Sequence, residues 1–274
     1  MEASPFEVLR QIPGAGSITL AGEEEGEAPP LVLLHGLSAT RRNVVQGSRL
    51  LARRGHRVIG YDARGHGRSS PAPSYGYPEL VEDLEAVLAD RGLERAVLVG
   101  SSMGAATAMA FALEWPERVT ALVQITPAYH GAPAGEGRWD RLAEALEKGG
   151  VDGFVEATEP DELPERWREP VRRAVRQRME RHEHLPAVVE ALRAVPRSAA
   201  WSGMEPLEAL DVPTLVVGSR DEADPMHPLA VAEEYAARLP RAQLLVENEG
   251  RAPLAWQGAR LSEAIAEFLG ARAR

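Results

Sequence analysis

The chain of 274 residues has a formal net charge of −10, with 44% hydrophobic and 26% charged residues. This size and composition favour one large α/β unit with an insertion. The acidic balance argues against a nucleic-acid partner, because binding to phosphate requires a basic face. The chain has no cysteine, which excludes disulfides, thiolate nucleophiles and Cys-based metal sites. Neither a membrane-spanning run nor a signal peptide is recognisable, so we expect a cytoplasmic protein with no membrane partner.

Short apolar runs rich in β-branched residues alternate with longer helical patterns along much of the chain. This alternation is typical of a mostly parallel sheet with helices on both faces. We predict strands at residues 6–12, 17–21, 31–35, 57–61, 96–100, 119–125, 213–218 and 242–247. We predict helices at residues 42–54, 78–91, 103–115, 229–239 and 257–271. The first two strands are expected to form a hairpin, and residues 22–30 an exposed turn.

Between about residues 128 and 206 the alternation stops. Arg/Glu-rich helical patterns with Pro and Gly breaks take its place, and they predict helices at residues 139–148, 164–182 and 185–195. We therefore expect an α/β core made of residues 1–127 and 207–274. Residues 128–206 are expected to form a helical cap over the sheet.

A glycine-flanked serine lies between a predicted strand and a predicted helix, in the run Gly100-Ser101-Ser102-Met103-Gly104. This G-x-S-x-G pattern, with a strand before it and a helix after it, predicts a nucleophile elbow. The turn strains the backbone of Ser102, and a Cβ at either glycine would collide with a neighbouring element. The elbow also points the N–H of Met103 to where an oxyanion would form. The alternative is a serine that only caps a helix.

Residues that follow other strands are candidates for chemistry, because ligands of an open α/β sheet lie beyond the carboxyl ends of the strands. After the third predicted strand, the N–H of Leu37 can join that of Met103 in a two-donor oxyanion hole. A plain turn between strand and helix is the alternative there. After the seventh predicted strand comes Asp221, at a position suited to an acid that orients a histidine, with Asp224 as a nearby competitor.

Four further residues near these strand ends are expected to line a substrate pocket: His35, Ser38, His130 and Arg251. His130 lies where the chain enters the predicted cap. His182 and His184 flank a glutamate but lack the further ligands that a metal needs. We therefore expect no metal and no cofactor.

Taken together, these motifs resemble the α/β-hydrolase fold family. The residues that carry the resemblance are His35-Gly36, 62–67, Gly100 to Gly104 and 218–221. The resemblance implies an eight-stranded, mostly parallel sheet with an inserted helical cap that sets substrate choice. It also implies Ser102 as nucleophile, Asp221 as acid, and the N–H groups of Leu37 and Met103 as oxyanion donors.

The chain departs from the family at the general base. The family has a histidine after the last strand in a Gly-His-x-Pro context, whereas this chain has Gly250-Arg251-Ala252-Pro253. A guanidinium stays protonated and cannot accept a proton. Another histidine can replace the base, with His227 preferred over His130 because it shares the loop of the acid. Alternatively, Arg251 pairs with Asp221 or holds an anionic ligand, or it is an engineered or erroneous substitution.

The sequence thus predicts a serine hydrolase for a small ester, lactone or related carbonyl substrate, working through an acyl-enzyme on Ser102. The alternative is a catalytically degenerate or ligand-binding member of the fold, which keeps the pocket without turnover. Non-hydrolytic chemistry such as a lyase reaction is a third hypothesis that no sequence feature separates from the other two.

Overall fold

The computed structural model describes residues 3–135, 137–159, 162–220 and 224–270. These residues form one eight-stranded sheet with the strand order β1-β2-β4-β3-β5-β6-β7-β8. The strands are β1 (Ser4–Ile12), β2 (Gly16–Glu25), β3 (Pro30–Leu34), β4 (Arg57–Tyr61), β5 (Ala96–Ser101), β6 (Val119–Ile125), β7 (Thr214–Val217) and β8 (Ala242–Leu245). β1 and β2 pair antiparallel, as do β2 and β4, and all other neighbours are parallel. The predicted eight-stranded, mostly parallel sheet is confirmed.

Helices cover both faces of this sheet, as the apolar strand pattern predicts. They are α1 (Leu50–Arg53), α2 (Tyr77–Asp90), α3 (Met103–Glu114), α4 (Arg138–Ala157), α5 (Glu165–Met179), α6 (Leu185–Ala194), α7 (Leu229–Arg238) and α8 (Gly258–Gly270). In β5, Leu98 packs into the cluster with α2, α3 and α7, and its neighbours Val97 and Val99 pack with α1 and α8. A strand buried on both faces reads as a continuous apolar run.

Two predicted elements are wrong in extent. The helix expected at residues 42–54 is reduced to a 3₁₀ turn at Arg41–Asn43 and the short α1. Between these pieces Gln46 and Gly47 have φ values of 50° and 71°, in the left-handed region that interrupts a helix. The turn expected at residues 22–30 is also shorter, because β2 continues through Glu25 and pairs with β4.

The region between β6 and β7 contains α4, α5 and α6, and no strand occurs among its described residues. These helices bury an apolar cluster that also includes Leu37 and Met103 of the core. A polar contact ties the region to the core as well. Gly67 N–H donates to His182 Nδ1 at 2.9 Å, and Glu183 N–H donates to the Gly67 carbonyl at 2.9 Å. The helices therefore lie against the strand ends, and the division into core and cap stays a prediction.

Candidate active site

Ser102 lies at a sharp turn between β5 and α3. Its φ of 52° and ψ of −111° are unusual for a residue with a side chain, and such a backbone costs on the order of 1–3 kcal/mol. The turn is tight because α3 approaches the sheet closely. A Cβ on Gly104 would overlap the carbonyl group of Leu34 in β3, and a Cβ on Gly100 would overlap the backbone of Gly104. The local geometry is that of the predicted elbow, with the serine partly exposed.

Two backbone N–H groups beside the elbow have no hydrogen-bond partner among the described residues: those of Leu37 and Met103. The direction of the Leu37 N–H is set by the peptide group that it shares with the Gly36 carbonyl. That carbonyl accepts from His35 Nδ1 at 2.8 Å and from Ala39 N–H at 3.0 Å. Because carbonyl and N–H point in opposite directions in a trans peptide, holding the carbonyl fixes the N–H.

His35 is therefore placed to orient the loop that carries Leu37. Its Nε2 accepts from Ala63 N–H at 2.8 Å, so the ring proton lies on Nδ1, where it faces the Gly36 carbonyl. Burial, together with the neighbouring His66, lowers the pKa of His35 from 6.5 to about 3. The ring stays neutral near pH 7, which keeps this tautomer. His35, which was predicted to line the pocket, thus supports this loop through its hydrogen bonds, and only 2% of its surface is exposed.

Two more buried histidines support the same loop. His66 Nε2 lies 2.6 Å from the Leu37 carbonyl, and its Nδ1 lies 2.9 Å from the Arg64 carbonyl. Burial lowers the pKa of His66, so the neutral ring has one proton to donate, and the shorter contact assigns it to Nε2. His182 packs edge-on against His66, with the ring centroids 5.6 Å apart. Burial lowers the pKa of His182 to about 2, although the nearby Ser38 carbonyl raises it.

The loop of residues 62–68 rests on two separate ion pairs. Asp62 binds the guanidinium and backbone N–H of Arg41, and Arg64 binds both oxygens of Asp83 at 2.7 Å. Burial raises the pKa of Asp83 despite the opposing effect of Arg64. Asp62 and Arg64 therefore do not form an ion pair with each other. Each has a partner on a different element, and the loop is anchored on both sides.

Hydrogen bonds join the carboxyl ends of neighbouring strands and bring their loops together. Ser102 N–H donates to the Ile125 carbonyl at 3.0 Å, and Thr126 N–H donates to the Val217 carbonyl at 2.7 Å. The elbow after β5 is thus two strands away from the loop after β7. Adjacent strands lie about 4.8 Å apart, so the backbones of these two loops are separated by roughly 10 Å.

The loop after β7 contains an acid and imidazole pair. His227 Nδ1 lies 2.8 Å from Asp224 Oδ2, and both side chains are about four-fifths buried, with 21% and 17% of their surface exposed. Burial would raise the pKa of Asp224, but His227, and to a lesser extent Arg178 of α5, bring it below its usual value. A donated Nδ1–H leaves His227 Nε2 free as an acceptor. Asp221, the predicted acid, lies outside the described residues.

Sequence reasoning named Asp224 only as a competitor of Asp221. The three-residue spacing between Asp224 and His227, which places both in one turn, was available in the sequence as a signal. The pairing also needs the backbone to turn, since His227 N–H donates to the Asp224 carbonyl at 3.2 Å. A turn of this kind is rarely readable from composition alone.

None of the seven histidines, all of which are described, forms a hydrogen bond with Ser102 Oγ. His130 is half exposed and binds Glu234 of α7. Arg251 is exposed in the loop after β8, and its side chain has no ion pair with the described part of the chain. Ser38 is partly buried beside Leu37. The roles assigned to these residues stay predictions.

No group of three or more His, Asp or Glu side chains is arranged to hold a metal ion in the described ranges. A cavity of about 10 Å³ lies beneath the elbow, lined in part by His35, Met103, Gly104 and Thr107. It has the size of a single water site. No helix in the described part of the chain is long and apolar enough to cross a membrane.

Residues 29–259 match the alpha/beta hydrolase fold family. Because this match spans most of the chain, the chain belongs to that family. It is 31% identical to a 2-hydroxy-6-oxononadienedioate/2-hydroxy-6-oxononatrienedioate hydrolase of Paraburkholderia phymatum over 259 residues, which is 88% of this chain and 86% of that protein. The thermophilic esterase of Thermogutta terrifontis, solved with malate bound, superposes with a TM-score of 0.78 at 27% identity, over 98% of both chains.

A shorter match relates the chain to the sn-1-specific diacylglycerol lipase ABHD11 of Mus musculus. The two are 34% identical over 145 residues, which is 52% of this chain and 43% of the lipase. The chain thus spans less than half the length of this relative. These three similar proteins are named as a hydrolase, an esterase and a lipase, and this chain shares the α/β-hydrolase fold with them.

Proposed function

We propose that this chain is a serine hydrolase that cleaves a small ester, lactone or related carbonyl substrate through an acyl-enzyme on Ser102. The observation that carries the proposal is the strained turn at Ser102, with the two unpartnered N–H groups of Leu37 and Met103 beside it. Backbone strain of this kind persists at functional sites. Paired N–H donors stabilise the oxyanion of acyl transfer. The named activities of the similar proteins, an esterase, a lipase and a hydrolase of an oxo-dioate, agree with a carbonyl substrate.

His227 is the general base in this proposal, and Asp224 is the acid that orients it. The carboxylate accepts the Nδ1 proton, so Nε2 takes the proton of Ser102 and later delivers it to the leaving group. The contact from Nε2 to Ser102 Oγ forms as substrate binds, because catalytic hydrogen bonds are often long in the empty site.

Hydrolysis of 4-nitrophenyl butyrate by matched variants tests this assignment. Ser102→Ala abolishes turnover, and His227→Gln and Asp224→Asn each lower kcat by about 100-fold or more, as expected for loss of a general base or its orienting acid. His184→Gln, a change at a partly exposed histidine with no expected role in the site, serves as the control and stays within about twofold of the parent. Unchanged kcat in His227→Gln would exclude His227 as base.

A degenerate, ligand-binding protein is the second candidate function. One observation favours it: none of the histidines forms a hydrogen bond with Ser102 Oγ. The resemblance to the family also implies a histidine base where this chain has Arg251. Arg251→His separates the two candidates. If His227 is the base, the substitution changes kcat by less than about tenfold. If the base is missing, it raises kcat by about 10²- to 10⁴-fold.

A further inference from the structure

Strand β1 lies at one end of the sheet, so no other described strand pairs with its outer edge. The edge is long: its nine residues pair one to one with β2, and no bulge interrupts the register. Natural proteins usually shorten, bulge, charge or cover such an edge, because its free N–H and C=O groups can pair with another chain. The outer edge of β1 is thus a surface on which a further strand can pair.

The contacts of β2 show which backbone groups of β1 point outward. Thr19 N–H donates to Ser70 Oγ at 2.8 Å, and the Thr19 carbonyl accepts from Ser70 N–H at 3.0 Å. Ala21 N–H likewise donates to Ser69 Oγ at 2.9 Å, and its carbonyl accepts from Asp62 N–H at 2.8 Å. Because these groups of β2 point away from β1, the residues of β1 that lie opposite them are not hydrogen-bonded to β2.

These opposite residues are Leu9 and Glu7. Hydrogen-bonded and non-hydrogen-bonded pairs alternate along an antiparallel ladder, so the N–H and C=O groups of Glu7, Leu9 and Gln11 all point out of the sheet edge. The side chains of these three residues are exposed. They lie on the face opposite to Val8, which is buried in the apolar cluster with α2. The edge therefore offers both backbone groups and an exposed row of side chains.

The sequence of β1 is complementary to itself when a second copy lies antiparallel, with the two Leu9 residues opposite each other. The other pairs in this register each join two different residues, one from each copy: Phe6 with Ile12, Glu7 with Gln11, and Val8 with Arg10. No like charges lie directly opposite each other, an arrangement that would be destabilising. Leu9, which is 65% exposed, is covered by its own counterpart.

The neighbouring registers lack this match. The axis can move only in steps of one residue if the outward backbone groups are to stay opposite each other. An axis at Arg10 would place two arginines opposite each other, and an axis at Val8 would place Glu7 opposite the apolar Leu9. The register centred on Leu9 is therefore the favoured one.

Prolines end this pairing at equal distances from its axis. Pro5 and Pro13 lie four residues before and after Leu9, so each lies opposite the other in the second copy. Neither has an N–H group to donate to a ladder. Between them, the outward groups of Glu7, Leu9 and Gln11 exchange about six hydrogen bonds between the two copies.

We propose that the outer edge of β1 is a homodimer interface, at which two copies of this chain pair antiparallel about a two-fold axis at Leu9. The two sheets then form one continuous sheet. A two-fold contact of this kind uses the same surface on both copies and closes at two. The elbow at Ser102 follows β5, four strands away and about 19 Å from β1. The interface is therefore separate from the proposed active site.

Oxidative cross-linking tests the axis directly, because the chain has no cysteine of its own. The Cα atoms of a hydrogen-bonded antiparallel pair are about 5.5 Å apart, within the span of a disulfide. We therefore expect Leu9→Cys to convert into a disulfide-linked dimer on mild oxidation, as seen by non-reducing electrophoresis. In Gln11→Cys, the matched control, the two Cα atoms lie about 14 Å apart, so no cross-link forms. Absence of a cross-link in Leu9→Cys, or equal cross-linking of both variants, would overturn the inference.

Sedimentation velocity tests the same axis without a covalent bond. We expect the parent to sediment as a dimer at micromolar concentration. Leu9→Glu and Leu9→Lys are each expected to sediment as monomers, because each opposes two like charges, and their equimolar mixture is expected to form the dimer again. Leu244→Glu, a matched change at an exposed leucine of β8, keeps the dimer.

The melting temperature shows whether the variants fold. Because Leu9 is exposed, we expect its variants to melt at the temperature of the parent monomer. A monomeric parent, a dimeric Leu9→Glu, or a mixture that stays monomeric would each contradict the proposed interface. A dimer that Leu244→Glu dissociates and Leu9→Glu does not would place the contact on β8 instead. None of these readouts requires ester hydrolysis, so the interface and the proposed function can fail independently.

Discussion

The placement of His35 leads to a prediction about how the oxyanion hole is built. Asparagine in place of His35 puts its amide nitrogen where Nδ1 was, and it can still donate to the Gly36 carbonyl. Glutamine instead reaches the position of Nε2, where it can accept from Ala63 N–H but leaves Gly36 without its side-chain donor. Both variants lose one buried hydrogen bond, which costs about 1–3 kcal/mol of stability. Only the glutamine variant leaves the peptide that carries the Leu37 N–H held by Ala39 N–H alone.

Loss of one oxyanion donor lowers kcat by about 10²- to 10³-fold. We therefore expect His35→Gln to lose about 100-fold in kcat on 4-nitrophenyl butyrate, with KM nearly unchanged because the donor acts on the transition state. His35→Asn is expected to lose less than about tenfold, since one donor to the Gly36 carbonyl is kept. Urea unfolding of both variants controls for stability. Equal kcat values in two equally stable variants would refute the role of His35 in orienting Leu37.

Two further predictions concern the elbow and the buried histidines. Gly104→Ala forces a methyl group against the carbonyl group of Leu34 in β3. We therefore expect the free energy of unfolding to fall by about 2 kcal/mol or more and ester hydrolysis to be lost. A stable and active variant would contradict the close approach of α3 to β3. Acid is expected to destabilise the fold, because the pKa values of His35 and His182 drop from 6.5 unfolded to about 3 and about 2 folded. Since the unfolded chain then binds more protons below pH 6.5, each ring costs about 2 kcal/mol at pH 5 and progressively more toward pH 3. Urea unfolding at pH 7 and pH 5 checks this: His182→Gln loses about 2 kcal/mol less than the parent between these values. Equal losses in the two proteins would refute the assignment.

The parts of the fold that follow local rules were readable from the sequence. The buried strands are continuous apolar runs, and the elbow needs only the five residues from Gly100 to Gly104 in a strand and helix context. The segment at residues 42–54 was misread because its apolar spacing suits a helix. The positive φ of Gln46 is not a preference of that residue type, and it follows from the path that the chain takes toward α1.

The supporting shell of the site could not be predicted, because its contacts are distant in sequence. Gly67 and His182 are separated by 115 residues and meet only when the helices between β6 and β7 fold over the strand ends. The sequence predicted the elbow at Ser102, whereas the structure was needed to find what surrounds it.

Covalent labelling by a fluorophosphonate, located by mass spectrometry, shows whether Ser102 is an activated nucleophile. We expect stoichiometric modification of Ser102 in the parent protein and none at this position in Ser102→Ala. We also expect labelling at least about 100-fold slower in His227→Gln, because the serine then lacks its base. A parent protein in which Ser102 stays unlabelled under these conditions would contradict the assignment of Ser102 as an activated nucleophile.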